Sequence, residues 1–362
     1  MIKVVSIFSG GGGLDLGFKS EGYDIIWAID NNQNAVDTYK TNIGNHIICE
    51  DINSIDVKSI PQADVVIGGP PCQSFSLAGK RHTEDARGQL VWKYIEIIKH
   101  LQPKAFVFEN VTGLLSARNS KKEKIIDKLI ETFESIGYHL EKQIVNAADY
   151  GVPQRRRRVL LVGLKNNMKF AFPLPTHSED GKLLPKYVSV HEALGDLPAA
   201  TANENEKIPY NIEPSNEYQL MMRDSCTGVT EHVVPKMSQL DEFIIKHVKP
   251  GGNYMDIPST VDSKRIKRLQ QSGGHTTCYG RLFPDSPAYT INTYFNRPNV
   301  GCNIHYQYDR LITIREALRL QSFPDNYVLV SSSKQGKSLI VGNAVPPLLA
   351  KMIARELKKH LA

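Results

Sequence analysis

The sequence predicts an α/β fold, with an open sheet that carries helices on both faces, joined to a smaller domain of short strands and loops. Over the first half of the chain, apolar segments of strand length alternate with helical segments that have one apolar face. Turns rich in glycine and proline end two of the predicted strands, at residues 9–13 and 68–71. After about residue 190 the chain is poor in long helices and rich in Pro, Asn, Tyr and Thr, which predicts the second domain.

Composition limits the classes of protein that fit this chain. Its 362 residues are enough for one large domain or for two, and 41% apolar with 23% charged residues is typical of a globular protein. No apolar run approaches the ~20 residues that cross a bilayer, and residues 1–8 are not typical of a signal peptide. The five cysteines lack metal-binding spacing, which favours reduced thiols in a cytosol over a disulfide framework. A net charge of +6 favours a polyanionic partner.

The first three predicted strands each end on residues suited to binding one ligand. The first strand runs into the glycines of residues 9–13 and then into a helix, a layout that lets backbone amides approach a ligand. The second strand ends on Asp30, where nucleotide-type folds hold ribose hydroxyls, and the third is followed by Asp51. A flexible turn and solvated acids explain these features separately, whereas one ligand at the edge of the sheet explains all three. The predicted strands are 3–8, 24–29, 46–49, 64–67, 105–108, 138–145 and 159–164, and the helices between them are 33–42, 90–101 and 121–136.

The fourth strand leads to the cysteine on which the chemistry is expected to depend. It is followed by Gly-Gly-Pro-Pro, which fixes a stiff loop, and Cys72 lies on this loop. A loop at the carboxyl end of a parallel strand is where open α/β sheets place catalytic groups. A small buried cysteine in a turn is the alternative interpretation. Residues 77–89 are polar and predict a mobile loop whose cations bind phosphates, namely Lys80, Arg81 and Arg87.

Charged residues also follow the later strands. Glu109 stands at the end of a central strand, where partial desolvation suits a carboxyl group that donates a proton. A capping or ion-paired glutamate is the alternative. Four consecutive arginines enter another strand, so that alternate ones point to opposite faces. Either Arg156 and Arg158 or Arg155 and Arg157 therefore face the catalytic cleft.

The predicted second domain has the short strands and loops of a recognition surface. Its most regular features are a helix at 238–247 and a basic cluster at 264–268. The chain then forms a helix at 313–321, a tight loop at 341–347 and a closing helix that ends near residue 358. We expect three segments: a first, ligand-binding domain at 1–190, a smaller recognition domain at 191–330, and a C-terminal segment at 331–362 that returns to the first domain.

Six motifs, in one order along nearly the whole chain, resemble those of the cytosine-5 DNA methyltransferases of bacterial restriction–modification systems. Each motif is short, but their shared order and spacing make the resemblance specific. The chain departs from the family at Asp30, where glutamate is more usual, and at Asn31, where an aromatic residue sometimes stacks on adenine. The matching segments are 8–13, 68–76, 109–111, 154–158, 310–325 and 342–346.

The resemblance implies a Rossmann-like methyltransferase domain that uses S-adenosylmethionine and releases S-adenosylhomocysteine, with no metal ion. Cys72 would add as a thiolate to carbon 6 of cytosine, and Glu109 would bind nitrogen 3 and the exocyclic amine. Arg156 is the first choice to fix the base or the glutamate, and Arg158 is the second. The implied cofactor-binding residues are Phe8, Gly10, Gly12, Gly13, Asp30, Asn31, Asp51, Ile52, Pro70, Asn343 and Val345.

The resemblance also implies double-stranded DNA as the partner, with the target cytosine flipped out of the helix. The loop 77–89 would close over the DNA, and the smaller domain would read bases in the major groove. Arg281 and Arg297 are candidates for bidentate contacts to guanine, with phosphate contacts as the alternative for each. We expect a monomer in the bacterial cytosol, associated with the nucleoid, and a cognate restriction endonuclease as a further partner. The implied DNA-binding residues are Ser76, Lys80, Arg81, Arg87, Tyr279, Arg281, Thr290 and Arg297.

Three other functions fit parts of the sequence. A tRNA cytosine-5 methyltransferase would share the catalytic motifs, but the insert at 190–305 resembles a bacterial target-recognition region, notably at 279–282 and 287–290. A non-catalytic DNA-binding regulator of the same fold would be expected to lack Cys72 or Glu109, and both are present. A nicotinamide dehydrogenase would account for the glycine loop and the acid after the second strand, but for neither the cysteine motif nor the second domain.

Overall fold

The protein is described by a computed structural model that covers residues 1–71, 86–119, 122–203, 206–331 and 333–361, with the backbone alone described for 86–89. Its chain forms two compact units. The first unit comprises Met1–Asn146, Arg157–Leu174 and Pro347–Ala362, and the second comprises Ala147–Arg156 and Pro175–Pro346.

The strands and helices expected in the first 165 residues are all present, with small differences at their ends. The strands of the chain are Lys3–Ile7 (β1), Asp24–Asp30 (β2), Ile47–Cys49 (β3), Val65–Gly68 (β4), Ala105–Val111 (β5), Tyr138–Asn146 (β6), Gln154–Arg155 (β7), Arg157–Lys165 (β8), Ile208–Pro209 (β9), Gly228–Val229 (β10), Gly280–Arg281 (β11), Ala288–Tyr289 (β12) and Cys302–Ile304 (β13). The α-helices are Gly13–Ser20 (α1), Gln33–Asn42 (α2), Ala86–Leu101 (α3), Ile125–Ser135 (α4), Val190–Leu194 (α5), Glu217–Arg223 (α6), Gln239–Ile245 (α7), Lys264–Ser272 (α8), Ile314–Leu320 (α9), Lys334–Asn343 (α10) and Pro347–Lys358 (α11).

The first unit is built on a seven-stranded sheet with the order β3-β2-β1-β4-β5-β8-β6. Strand β8 runs antiparallel to both of its neighbours, and the other strand pairs are parallel. The order reverses between β1 and β4, because β2 and β3 lie on one side of β1 while β4 and β5 lie on the other. In open α/β sheets, ligands bind beyond the carboxyl ends of the strands at such a reversal. The sheet therefore points to the ends of β1, β2, β4 and β5 as the place to look for a site.

Both faces of this sheet are covered, as expected from the sequence. Ala28 and Ile29 are neighbours on β2 and so point to opposite faces. Ile29 belongs to the large core formed with α3 and α4, where Phe106 and Phe133 stack at 4.4 Å between ring centroids. Ala28 belongs to a separate cluster with α2, which includes Tyr39. The apolar alternation along the strands thus produces two cores, one on each side of the sheet.

The last helix, α11, packs against α1 and joins the end of the chain to its beginning. The hydroxyl of Tyr23 donates to the carbonyl of Ala354 at 2.9 Å, and Arg355 pairs with Glu21 at 2.9 Å. Gly17 permits the close approach of the helices, since a Cβ there would lie 2.4 Å from that of Ala350. The return of the chain to the first unit begins at Pro347.

The second unit is made of short strand pairs and helices, as its irregular sequence suggests. Its apolar core includes Tyr254, Ile266 and Tyr279. Elsewhere in the unit the guanidinium of Arg319 is fully buried and pairs with Asp196 at 2.8 Å and with Asp325 at 2.5 Å. Two carboxylates on one buried arginine satisfy charges that would otherwise be costly to bury.

One feature of the second unit differs from the expectations. Residues 341–347 were expected to form a loop, but α10 continues to Asn343 and α11 begins at Pro347, so that only residues 344–346 are non-helical. The basic cluster at 264–268 lies within helix α8. The two compact units are divided after residues 146, 156, 174 and 346, whereas the expected boundaries were 190 and 330. No helix within the described ranges is long and apolar enough to cross a membrane.

Candidate active site

The carboxylate of Asp30 joins the end of β2 to the glycine loop that follows β1. Its Oδ2 accepts from the backbone N–H of Gly10 at 2.9 Å, and its Oδ1 accepts from that of Asn32 at 2.9 Å. Burial raises the pKa of Asp30, and these N–H donors partly oppose that effect. The acid expected from the sequence therefore lies directly beside the loop expected to approach a ligand.

The glycine loop has a backbone that few other residues adopt. Phe8, Gly10 and Gly12 have φ angles of 58°, 55° and 85°, all in the left-handed region. The space around Gly10 is open, because a Cβ built there would have no atom within 4 Å. A non-glycine residue in this conformation is strained, and such strain concentrates at functional sites. An open, strained loop at the sheet reversal is typical of a ligand-binding site.

The remaining predicted cofactor residues fall into two groups. In the first unit, Gly13 begins α1, Asn31 and Asp51 are exposed, and Ile52 is buried. The carboxylate of Asp51 accepts from the N–H of Asn53 at 2.9 Å and so caps the turn after β3. Asn343 is exposed and Val345 is buried, and both belong to the second unit.

The start of the cysteine loop is fixed to the end of β5. Gly68 on β4 pairs with Phe108 on β5, and the side chain of Asn110 donates to the carbonyl of Pro70 at 3.0 Å. Gly69 packs directly on Glu109, since a Cβ at Gly69 would lie 2.8 Å from the carboxylate Oε2. The loop therefore leaves the sheet against the carboxylate predicted to bind the base. Cys72, Ser76, Lys80, Arg81 and the side chain of Arg87 lie outside the described residues.

Glu109 forms an ion pair with Arg158 across the β5–β8 strand pair. Arg158 Nε lies 2.9 Å from Glu109 Oε1, and both side chains are largely buried. Glu109 is opposite Leu160 in the register, so Arg158, two residues away, projects from the same face. Of the arginines in the run, Arg158 is thus the one that contacts the glutamate.

The expectation that Arg156 holds the glutamate or the base needs correction. Arg156 is 1% exposed, and its guanidinium donates to the carbonyls of Ile291 at 3.1 Å and Gly342 at 3.0 Å. These contacts lie within the second unit, whereas Arg158 belongs to the first. The reason is that the run is not one continuous strand: β7 ends at Arg155 and β8 begins at Arg157. Strict alternation therefore does not extend across Arg156.

Two predicted DNA-contacting residues are buried instead of exposed. Arg281 is 5% exposed, and its guanidinium donates to the carbonyls of Val248 at 2.6 Å and Ile245 at 2.8 Å and to the carboxylate of Asp309 at 2.6 Å. Tyr279 is 4% exposed in the apolar core. The assignment of Arg281 and Tyr279 to DNA contacts is therefore wrong in this structure, because the donors of Arg281 are used within the second unit and Tyr279 is buried in its apolar core.

The other two predicted DNA-contacting residues are exposed. Thr290 donates to the carbonyl of Arg155 at 2.9 Å, and Arg297 lies on the surface. The guanidinium of Arg297 stacks on the ring of Tyr294, 4.9 Å from its centroid. The sequence analysis did not single out Tyr294, although an aromatic residue three positions before an arginine in a polar loop can be recognised in the sequence.

Together, these features define a class of protein before any comparison is made: a mostly parallel α/β domain with a nucleotide-type glycine loop after β1 and a glutamate–arginine pair beside Gly69 and Pro70. The family model of C-5 cytosine-specific DNA methylases matches residues 2–359. The chain therefore belongs to the C-5 cytosine-specific DNA methylase family, and it is a DNA cytosine-5 methyltransferase of restriction–modification type.

Individual relatives agree with this assignment. The chain is 34% identical over 379 residues to the type II methyltransferase M.DdeI of Desulfomicrobium norvegicum, covering 98% of this chain and 88% of that one. It is 34% identical over 368 residues to M1.HphI of Haemophilus parahaemolyticus, covering 99% and 87%. Among solved structures, a candidate DNA modification methyltransferase from an E. coli prophage aligns with a TM-score of 0.75 at 26% identity, covering 100% of this chain and 99% of that one. The fold is also shared with Dnmt2 of S. pombe, at a TM-score of 0.60, 17% identity and 99% of each chain.

Proposed function

We propose that this chain methylates carbon 5 of a cytosine flipped out of a specific DNA sequence, through a covalent adduct with Cys72. The observation that carries the proposal is the packing of Gly69 and Pro70 on Glu109 and Asn110, beside Arg158. This packing fixes the start of the cysteine loop against a charged pair suited to hold a cytosine ring. A nucleophile and an acid–base group held on neighbouring strand ends are the arrangement that covalent catalysis needs.

The chemistry follows from the poor nucleophilicity of carbon 5 in cytosine. The thiolate of Cys72 adds to carbon 6 and forms a carbon–sulfur bond, while Glu109 binds nitrogen 3 and balances the charge that develops on the ring. Carbon 5 then behaves as an enamine carbon and accepts a methyl group. Loss of the carbon 5 proton to a base and departure of the Cys72 thiolate restore the aromatic ring. Arg158 holds the carboxylate of Glu109 in place through these steps.

The methyl donor in this proposal is S-adenosylmethionine, which supplies an electrophilic methyl group and leaves as S-adenosylhomocysteine. The fit of the chain to such a group rests on the open space at Gly10 and on the carboxylate of Asp30 beside it. Asp30 would accept from ribose hydroxyls, and the backbone of the glycine loop would lie against the amino-acid part. Phe8, Asn31, Asp51, Ile52 and Pro70 of the first unit would line the rest of this site.

In this proposal the second unit recognises the DNA sequence. Of the loop expected at 77–89, residues 77–85 lie outside the described part of the chain, and Ala86 already begins α3. Arg297 and Thr290 are the exposed predicted residues that remain for DNA contacts. The enzyme acts as a monomer on DNA in the bacterial cytosol and protects it from a cognate restriction endonuclease.

Trapping with 5-fluorocytosine tests the covalent mechanism. A duplex that carries this base at the target should form a stable adduct with the wild type and S-adenosylmethionine, because fluorine cannot leave carbon 5 as a proton does. Peptide mapping should locate the adduct on Cys72. Cys72→Ser should abolish both trapping and methyl transfer while it leaves cofactor binding by calorimetry unchanged, because a serine hydroxyl is hardly ionised near neutral pH.

Two outcomes would contradict the proposal. An adduct on another residue would remove Cys72 from the nucleophile role. Transfer of tritium from labelled S-adenosylmethionine to tRNA in preference to duplex DNA would show that duplex DNA is not the preferred substrate.

A further inference from the structure

Helix α8 of the second unit presents one face to the core and the opposite face to solvent. Ile266 is 1% exposed and belongs to the apolar cluster of this unit, with Leu269 packed against it. The side chain of Gln270 donates to the carbonyls of Tyr254 at 3.1 Å and Ile257 at 2.7 Å. These contacts fix the rotation of the helix about its axis, so the outward face is determined.

The outward side of α8 carries four cations. Residues advance about 100° around a helix, which places Lys264 and Arg268 opposite Ile266, with Arg265 and Lys267 on the two flanks. All four are exposed, and α8 contains no acidic residue. We call these four residues the basic face of α8.

This distribution of charge is unfavourable for the helix by itself. Lys264 and Arg265 occupy the first turn, where the positive end of the helix dipole disfavours cations. Lys264 and Arg268 are four residues apart, a spacing at which like charges repel. Lys267 pairs with the highly exposed Asp262 at 3.1 Å, and such a surface pair contributes little. Within the described residues, neither Lys264 nor Arg268 forms an ion pair, so no described acid compensates these two charges.

The basic face lies beside an exposed loop that carries an arginine. Arg265 Nη2 donates to the backbone carbonyl of Asn299 at 3.4 Å, which joins α8 to loop 292–300. The same loop presents the stacked pair of Tyr294 and Arg297. Charge on the helix and a candidate base-contacting side chain are therefore neighbours on one surface of the second unit.

We propose that the basic face of α8 binds the phosphodiester backbone of the DNA substrate next to the base pairs contacted by loop 292–300. This inference rests on the proposed function, in which the second unit recognises DNA. Lysine and arginine on a rigid helix neutralise phosphates and release counterions, so the contact adds affinity without regard to sequence and weakens with salt. Such contacts position the protein on the duplex, while base contacts provide the specificity.

The salt dependence of DNA binding tests the proposal. The double variant Lys264→Gln/Arg268→Gln removes two charges that have no ion pair, and Lys58→Gln/Lys142→Gln in the first unit matches its net charge as a control. Binding of the full-length protein to duplex DNA lacking the target site is measured by fluorescence anisotropy at several salt concentrations. The slope of log K against log salt should fall in magnitude by about two for the α8 variant and stay unchanged for the control. The methylated sequence should remain that of the wild type.

A second variant separates charge from packing. Lys264→Arg/Arg268→Lys keeps both charges and should retain the wild-type slope, and thermal unfolding should verify that all variants are folded. A wild-type slope in the neutral variant would overturn the proposal, as would an altered preference at one base pair, which would make α8 a base-reading element. If the wild type itself does not transfer methyl groups to DNA, the proposed function is refuted instead.

Discussion

The ion pair between Glu109 and Arg158 gives different tasks to two arginines that the sequence makes equivalent. Arg156 donates to backbone carbonyls of the second unit, and Arg158 pairs with the carboxylate of Glu109 in the first. A charge held 2.9 Å from a largely buried glutamate keeps that carboxylate in one orientation. In the proposed mechanism Arg158 is therefore a positioning residue, which acts on the cytosine through Glu109.

Arg158→Gln should slow methylation because Glu109 loses its partner and its fixed geometry. Misplacement of a catalytic group by about 1 Å costs on the order of 10²-fold in rate, so we expect a loss of that size in the single-turnover rate. The Michaelis constant for DNA should change much less. Arg158→Lys keeps the charge but not the fork geometry and should recover part of the rate.

Arg155 provides the matched control for this prediction, because it is in the same motif but pairs with the exposed Glu179 at 2.7 Å. Arg155→Gln should methylate at the wild-type rate. An equal loss of rate in both variants would indicate a general effect of charge in the motif and would contradict the role given to Arg158.

Asp15 is a buried acid on α1 whose ionisation opposes folding. Its side chain is 0% exposed, and its Oδ1 accepts from the hydroxyl of Tyr39 at 2.9 Å. Burial raises the pKa of Asp15 from 3.8 to about 6. Because the folded protein holds this proton more tightly than the unfolded chain, stability falls as pH rises between these two values. The full penalty is present above the folded-state pKa.

Asp15→Asn should remove this penalty. The difference in free energy of unfolding between the variant and the wild type should shift in favour of the variant by about 2–3 kcal/mol as pH rises from about 4 to about 7. Urea unfolding at several pH values measures it. Asp56→Asn alters an exposed cap that asparagine can still form and should leave the pH dependence as in the wild type. A constant difference for Asp15→Asn across this range would show that the carboxyl does not titrate there.

At the scale of elements, loop 292–300 exposes Tyr294 and Arg297 and is held by amide side chains. Asn292 Oδ1 accepts from the N–H of Tyr294 at 2.7 Å, and Asn303 Nδ2 donates to the carbonyl of Arg297 at 3.1 Å. These bonds fix the backbone on which Arg297 stacks against Tyr294. A stacked guanidinium is oriented before DNA arrives, which lowers the entropy lost in a bidentate contact.

Tyr294→Leu should weaken recognition at the same base pair as Arg297→Ala, since both changes disturb one oriented guanidinium. If Arg297 reads guanine, Arg297→Ala should cost about 1–3 kcal/mol at that base pair, and Tyr294→Leu should cost less. Methylation of a library of single-base site variants measures the profile. Tyr289→Leu, which alters an exposed tyrosine of β12, is the control. Uniform weakening across all sites would assign Arg297 to a phosphate instead.

At the scale of the whole chain, packing of α11 on α1 closes the first unit. The contact joins residues about 330 positions apart, and Gly17 is where the two helices come closest. A Cβ at this position would lie 2.5 Å from the backbone nitrogen of Lys351. Because the backbone of α11 cannot move aside as a flexible side chain can, a Cβ at Gly17 is not easily accommodated.

Gly17→Val should therefore destabilise the protein by about 1–3 kcal/mol, the usual cost of overpacking, and sometimes more. The free energy of unfolding from urea titration measures the effect. Gly113→Ala is the control, because its added Cβ would meet an atom only at 3.9 Å. Equal stability of both variants would mean that α11 can move away from α1 without loss.

The sequence by itself determined the strands and helices of the first 165 residues, the glycine loop, Asp30 and the glutamate at the end of β5. These features depend on local rules: the two-residue period of a strand, the apolar face of a helix and the turn-forming chemistry of glycine and proline. Once a strand of a mostly parallel sheet is predicted, its carboxyl end is expected at the edge of the sheet where ligands bind. The order of the motifs also identified the family, because motifs can be recognised in a sequence without any knowledge of tertiary contacts.

Only the tertiary structure decided which of several similar residues reaches a site and which supports the fold. Arg156 and Arg281 look as available in the sequence as Arg158 and Arg297, but the first two are buried on backbone carbonyls. Ile291 lies 135 positions from Arg156 and Val248 lies 33 positions from Arg281, and no local pattern records such a distance. A buried guanidinium has to satisfy its donors wherever the packing offers acceptors. The fate of each arginine is therefore set by the whole fold and not by its neighbours in sequence.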